Sequence, residues 1–245
     1  VIACAALEPH IRVDRVSFAY PDGQPALHEV SFTAAPGEKV ALVGPNGSGK
    51  STLLLHLNGI LRPVAGSVAI CGLPLNDATV KQIRGWVGLL FQDPDDQLFS
   101  PRVYDDIAFA SRYLGLPEGE VRQRVLRALD LVGMMAYVDR VPYHLSLGEK
   151  KRIALATILT TDTRILLLDE PTAGLDPRGR RELIALLETF TETTMLISTH
   201  DMRLAARLCS RAIVLDAGAI VADGAAETIL YDRQLMEQHG LETPA

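Results

Sequence analysis

Within Gly44-Pro45-Asn46-Gly47-Ser48-Gly49-Lys50-Ser51-Thr52 the chain places glycines, an ammonium and adjacent hydroxyls at the spacing G-x-x-x-x-G-K-[ST]. Glycines at 44, 47 and 49 let the backbone turn tightly, so that Asn46, Gly47, Ser48 and Gly49 can bring their N–H groups toward one anion. A helix opening near Lys50 would add the positive end of its dipole. The chemistry suits a phosphate chain. Lys50 reaches the terminal phosphates as a point charge, Ser51 offers a hydroxyl to a magnesium ion that keeps most of its waters, and Thr52 bonds the inner phosphate. Nucleotide and magnesium are therefore the expected ligands.

A second group of residues stands at the ends of apolar runs. Ile165-Leu166-Leu167-Leu168 reads as a buried strand that ends in Asp169 and Glu170, which places both carboxylates at the edge where open α/β sheets bind ligands. Asp169 suits a magnesium ion, directly or through water, and Glu170 suits orienting or deprotonating an attacking water. The run 195 to 199 ends in the same way at His200, which could hydrogen-bond the terminal phosphate and the water. The other histidines, His10, His28, His56, His144 and His239, have no metal-ligand spacing and read as surface or packing residues.

The elements needed to hold these groups are legible in the hydrophobic pattern. Residues 38 to 43 end in a short apolar strand before the loop, and Leu53, Leu54 and Leu57 follow at helical spacing. Ile11 to Tyr20 and Leu27 to Thr33 alternate around Pro21-Asp22-Gly23, an antiparallel hairpin pattern, and Val68 to Cys71 reads as another strand. From Asp93 to about Leu147 the period turns helical, with Val121, Val125, Leu129 and Val132 on one face and Gly133 as a stop. Strands return at 165 to 168, 195 to 198 and 212 to 215, with helices around 178 to 190 and 201 to 209 between them, and Ile220 to Ala222 closes an antiparallel hairpin. Such alternation predicts a parallel sheet covered by helices on both faces. The expected division is one domain: a core of 1–92 and 149–230, a helical subdomain of about 93–148, and a short tail of 231–245.

Bulk properties narrow the function classes. With 245 residues, 48% hydrophobic and 22% charged, the chain has the composition of an ordinary globular protein. A net charge of −6, and no basic cluster longer than Lys150-Lys151-Arg152, argue against a nucleic-acid surface; that cluster reads as a solvated face. No apolar stretch is long enough to cross a bilayer. Cys4, Cys71 and Cys209 lack paired spacing and read as reduced packing residues, which implies a cytosolic location.

In this order the motifs resemble those of the ATPase subunits of ATP-binding cassette transporters, and the likeness covers nearly the whole chain. Tyr20 matches the adenine-stacking aromatic, the loop of 44–52 the phosphate loop, and Gln92 the glutamine after an apolar strand. Leu145-Ser146-Leu147-Gly148-Glu149 matches the family signature, and Asp169-Glu170, Ala173-Gly174-Leu175-Asp176 and His200 complete the set. The resemblance implies an α/β phosphate-loop ATPase with a mainly parallel core sheet, an N-terminal antiparallel β region and an inserted helical subdomain. It further implies a head-to-tail dimer in which ATP lies between the phosphate loop of one protomer and Ser146, Gly148, Glu149 and Asp176 of the other. Gln92 is implied to contact magnesium and the terminal phosphate and to couple them to the helical subdomain. Leu147 departs from the family, which has glycine there; the leucine either tucks away from the nucleotide or weakens closure.

Phe91 to Phe99, Val103 to Phe109 and Leu55 to Pro63 are similar to the ATPases of energy-coupling-factor importers, most of all cobalt and nickel uptake subunits, with vitamin uptake as the nearest rival. The resemblance implies integral membrane subunits as partners, a peripheral position on the cytoplasmic face of the membrane, and no contact of this chain with the cargo. The acidic pair Asp95-Asp96 reads as a solvated or partner-facing loop. The chain ends soon after Leu230, which leaves little room for the extra carboxyl-terminal domain of some relatives.

Overall fold

The computed structural model describes residues 9–244. Alternating residues in β1 (Ile11–Ala19) and β2 (Pro25–Ala34) pair antiparallel across the expected turn. Strand β3 (Lys39–Val43) runs through the glycine loop into α1 (Lys50–Leu57). After it come β4 (Ala65–Ile70), β5 (Leu73–Pro74), α2 (Val80–Ile83) and β6 (Val87–Leu90). The helical stretch forms α3 (Val103–Tyr113), α4 (Glu118–Leu131) and α5 (Leu147–Ile158). The remainder alternates β7 (Ile165–Asp169), α6 (Pro177–Glu188), β8 (Thr194–Ser198), α7 (Met202–Leu208) and β9 (Arg211–Asp216). It closes with β10 (Ala219–Ala225), α8 (Ala226–Leu230) and α9 (Arg233–Gln238).

The strands form two sheets. One is antiparallel, in the order β2-β1-β4-β5; the other runs β10-β9-β3-β8-β7-β6, parallel except for β10 at its edge. The parallel strands read as unbroken apolar runs because both of their faces are covered. Along β7, Ile165 and Leu167 face the antiparallel sheet and α1, whereas Leu166 and Leu168 face the helices. The same alternation holds in β3 and β9, so two apolar layers sandwich the sheet. Truncating a fully buried leucine such as Leu167 to alanine is expected to cost about 2–5 kcal/mol.

Helix α4 ends as its pattern predicts: Val121, Val125 and Leu129 are buried, and Gly133 follows with φ of +68°. Met236 of α9 and Leu241 also lie in the helical-side core. Cys209 is free and buried, but Cys71 is disulfide-bonded, so the expectation of reduced cysteines fails at Cys71; Cys4 lies outside the described residues.

Candidate functional site

Parallel order places four strand ends along one edge. Leu42 of β3 pairs with Ser198 of β8, Asp169 of β7 pairs with the same Ser198, and Leu90 of β6 pairs with Leu168. The loop after β3, the Asp169-Glu170 pair, His200 and Gln92 therefore converge without any of them being close in sequence. Tyr20, Asn46, Gly47, Ser48, Gly49, Lys50, Ser51, Thr52, Gln92, Asp169, Glu170, Ser198 and His200 line one cavity of about 490 Å³.

Close packing imposes the loop chemistry. A Cβ at Gly49 would stand 2.5 Å from the Ala26 carbonyl oxygen, and the residue has φ of +104°, so only glycine fits there. Lys50 Nζ donates to the Gly44 and Pro45 carbonyls at 2.8 and 2.9 Å, which keeps the ammonium over the loop. Burial pushes the Lys50 ammonium down from its usual range, and the Glu170 and Asp169 carboxylates act in the opposite direction. Tyr20 stands edge-on to Phe18, and its hydroxyl is 2.9 Å from Thr52 Oγ1, which ties the aromatic wall to the first turn of α1.

The residues fit a magnesium nucleotide on a second count. Asp169 Oδ1, Ser48 Oγ and Ser198 Oγ are buried and have no hydrogen-bond partner among the described residues. An orphaned buried carboxylate oxygen is costly, and a hydrated cation would supply the missing partner. Ser51 is exposed at the same wall.

Glu170 is 8% exposed in its side chain and adopts φ of +43°, a left-handed backbone for a residue that is not glycine. Its Oε2 lies 2.9 Å from His200 Nδ1 and accepts a long hydrogen bond from Thr199 Oγ1 at 3.4 Å. The turn holds the carboxylate against the strand ends and limits where it can point.

Four residues of the expected site stand elsewhere. Ser146, Gly148, Glu149 and Asp176 line a separate cavity of about 620 Å³, together with Leu147, Gly174 and Leu175. Ser146 caps α5 through a capping box: its hydroxyl oxygen faces the Glu149 amide, and the Glu149 carboxylate accepts from the Ser146 N–H and hydroxyl, each at 2.8 Å. The Tyr137 hydroxyl donates to the other Glu149 oxygen at 2.6 Å. These bonds lower the Glu149 carboxyl from its usual range, the Tyr137 bond most of all. Its carboxylate is thus committed to the cap. Asp176 caps α6 by accepting from the Gly179 N–H at 2.6 Å. Leu147 leans across to Gly174, where an added Cβ would meet the leucine Cδ2 at 2.7 Å.

Three features escaped sequence reasoning. Ser198 and Thr199 reach the site because β8 lies between β3 and β7, a neighbour relation with no local signal. The cluster Lys150-Lys151-Arg152 is no solvated face: Lys151 is 1% exposed, Lys150 binds Asp95, and Arg152 binds Glu182. Gln97 is likewise internal, donating to the Ala154 carbonyl at 2.8 Å and to Thr157 Oγ1 at 2.7 Å.

A parallel sheet with a glycine loop, a buried lysine and an adjacent carboxylate pair at its carboxyl edge defines a phosphate-loop nucleoside triphosphatase. Comparison with known proteins narrows the class. The ABC transporter family matches residues 27–173. A putative ABC transporter ATP-binding protein of Gloeobacter violaceus is 50% identical over 240 residues, 97% of this chain and 98% of its own. The energy-coupling factor transporter ATP-binding protein EcfA of Methanothermobacter thermautotrophicus is 46% identical over 239 residues, covering 96% of this chain and 76% of its own. Among solved structures, cbiO1 of Clostridium perfringens, part of the ABC transporter complex cbiONQ, superposes with a TM-score of 0.82 at 36% identity over 94% of each chain. The cassette MJ0796, dimeric in a post-hydrolysis state with ADP and Pi, gives 0.79 at 26% identity over 88% of this chain and 98% of its own. The chain belongs to the ABC transporter family and is its ATP-binding, ATP-hydrolysing component.

Proposed function

We propose that the chain powers an energy-coupling-factor importer by closing on ATP with a second ATPase protomer, and that the cargo of the complex is cobalt or nickel. The carrying observation is the division of the site into two cavities on one chain, one around Lys50 and the other around Ser146. Head-to-tail pairing would bring the first cavity of each protomer against the second cavity of the other. The dimeric state of MJ0796 supports the arrangement, and the membership of cbiO1 in the ABC transporter complex cbiONQ supports work within a transporter complex; the cargo rests on the likeness of residues 91–99, 103–109 and 55–63 to metal-uptake subunits.

In the closed state Lys50 and the loop amides hold the phosphates, and Tyr20 provides the adenine platform. Ser51, Asp169 and Gln92 would hold magnesium, which when bound neutralises phosphate charge. Glu170 orients or deprotonates the water whose oxygen bonds to the terminal phosphorus as the bond to the bridging oxygen breaks, and His200 keeps that geometry. Ser146 and the first turn of α5 seal the terminal phosphate from the partner side, with Gly148 allowing close approach, Glu149 keeping the cap and Asp176 standing beside it.

Residues 93–148 serve as the helical subdomain and carry the face toward the membrane. A groove of about 390 Å³ includes the aromatic side chains of Phe91, Phe99, Phe109 and Tyr113 in its lining, and it would receive a short helix of a membrane subunit. That docking would keep the chain peripheral, on the cytoplasmic face. The test is purification of the native complex with cobalt, nickel and vitamin uptake assays in cells. ATP-dependent metal uptake lost on deletion supports the reading, vitamin uptake alone reassigns the cargo, and purification without any membrane partner overturns it.

A further inference from the structure

Lys151 lies on α5, the helix that Ser146 caps, and it ranks among the largest fully buried side chains of the described residues. Its Nζ donates to the main-chain carbonyl of Glu170 at 2.8 Å. The same carbonyl accepts from the Ala173 N–H at 3.1 Å, and the Glu170 N–H donates to the Ser198 carbonyl at 2.9 Å. These bonds hold the peptide units on either side of a residue at φ of +43°, a strained conformation for a side chain other than glycine that persists only where its surroundings enforce it.

The lysine is expensive where it is. Burial pushes its ammonium down to about 8, with the carboxylates of Glu170, Asp169 and Asp93 opposing the shift. An apolar side chain of similar length would fill the space without desolvating a charge, and such replacements of buried charges are often neutral or stabilising. A buried cation aimed at the carbonyl of the residue that bears the water-activating carboxylate is explained by what it does to that residue. The carboxylate leaves the backbone of Glu170 in the direction that its φ dictates, toward His200.

Resting on the ATPase reading above, we infer that Lys151 is a positioning residue for hydrolysis: it locks the left-handed turn that aims Glu170. Because Lys151 and Ser146 share α5, the lock ties the catalytic carboxylate of one site to the helix that seals the other. A displacement of α5 alters the hold on Glu170, so a protomer whose signature helix is unseated loses alignment of its own carboxylate.

The experiment uses the full chain in its native membrane complex and compares the parent with Lys151→Met, Lys151→Gln and Lys151→Arg. Lys151→Met is expected to lower kcat at least tenfold while KM for ATP stays within twofold and the melting temperature does not fall. Lys151→Gln is expected to fall between it and the parent, and Lys151→Arg to restore kcat to within threefold. In a Glu170→Gln background, Lys151→Met is expected to change the residual rate less than twofold, because the residue acts through that carboxylate. If Lys151→Met folds poorly, Lys151→Gln carries the same comparison. A folded Lys151→Met or Lys151→Gln variant with kcat within twofold of the parent overturns the inference, as does an undiminished effect in the Glu170→Gln background. A Glu170→Gln enzyme that still turns over at the parent rate overturns instead the assignment of the carboxylate.

Discussion

Glu170 and His200 meet at 2.9 Å, carboxylate Oε2 to imidazole Nδ1, across the ends of neighbouring strands, with the carboxylate nearly buried and the histidine largely exposed. The contact sets one oxygen of the carboxylate against an imidazole that faces the cavity. Binding of a terminal phosphate at the exposed imidazole would thereby be felt at the carboxylate. Glu170→Gln is expected to keep ATP affinity within about threefold and to accumulate closed dimers while hydrolysis falls at least about a hundredfold. Turnover assays with gel filtration in ATP check both. His200→Ala should lower kcat about ten- to a hundredfold with a smaller change in KM, since it removes alignment more than binding.

Lys50 spans the loop, bonding the carbonyls of Gly44 and Pro45. Removing it deletes the only ammonium among the residues lining that cavity. Lys50→Ala is expected to weaken ATP binding by at least about a hundredfold, the scale of a charge-assisted contact to phosphate. Titration calorimetry on the full chain measures it.

Leu147 and Gly174 compete for one space. Gly174 has φ of +72°, and an added Cβ would stand 2.7 Å from Leu147 Cδ2. Gly174→Ala should therefore destabilise by about 1–2 kcal/mol from its backbone, with a further clash against the leucine. Leu147→Gly relieves the clash and leaves the backbone cost, so denaturant melts of the two single variants and the double variant should be non-additive. Since the leucine leans onto Gly174, Leu147→Gly alone is expected to leave ATP turnover in the complex within about threefold, whereas acceleration by hundreds would mean a degenerate site.

Cys209 reports on the core under α7. Burial pushes its thiol up to about 12, so the folded chain keeps the proton where an unfolded thiol near 9 has lost it. The folded state gains stability from this group below pH 9 and loses it as the pH rises through about 12. Alkylation at pH 8 should accordingly be slow on the native chain and fast in denaturant, with mass spectrometry locating the label.

Phe99 is two-thirds exposed and stands edge-on to Phe109 at the rim of the apolar groove. Phe99→Ala should keep ATP binding and reduce co-purification with the membrane subunits and transport. Gln97→Ala differs in kind: it breaks bonds to α5, so it should also lower the melting temperature.

The sequence by itself determined the parts whose physics is local. A glycine loop needs only short-range spacing to aim its amides, so 44–52 was legible with its strand and helix, and a run such as Ile165 to Leu168 announces a buried strand with carboxylates at its end. Tertiary structure decided what depends on neighbours distant in the chain. Ser198 joins the site through strand order, and Ser146 is parted from Lys50 into a second cavity by the placement of α5. Of three consecutive basic residues only Lys151 turns inward, because its acceptor is a carbonyl 19 residues away that no short window of sequence contains. Periodicity marks apolar faces, but the burial of a charge is set by the partner that the fold brings to it.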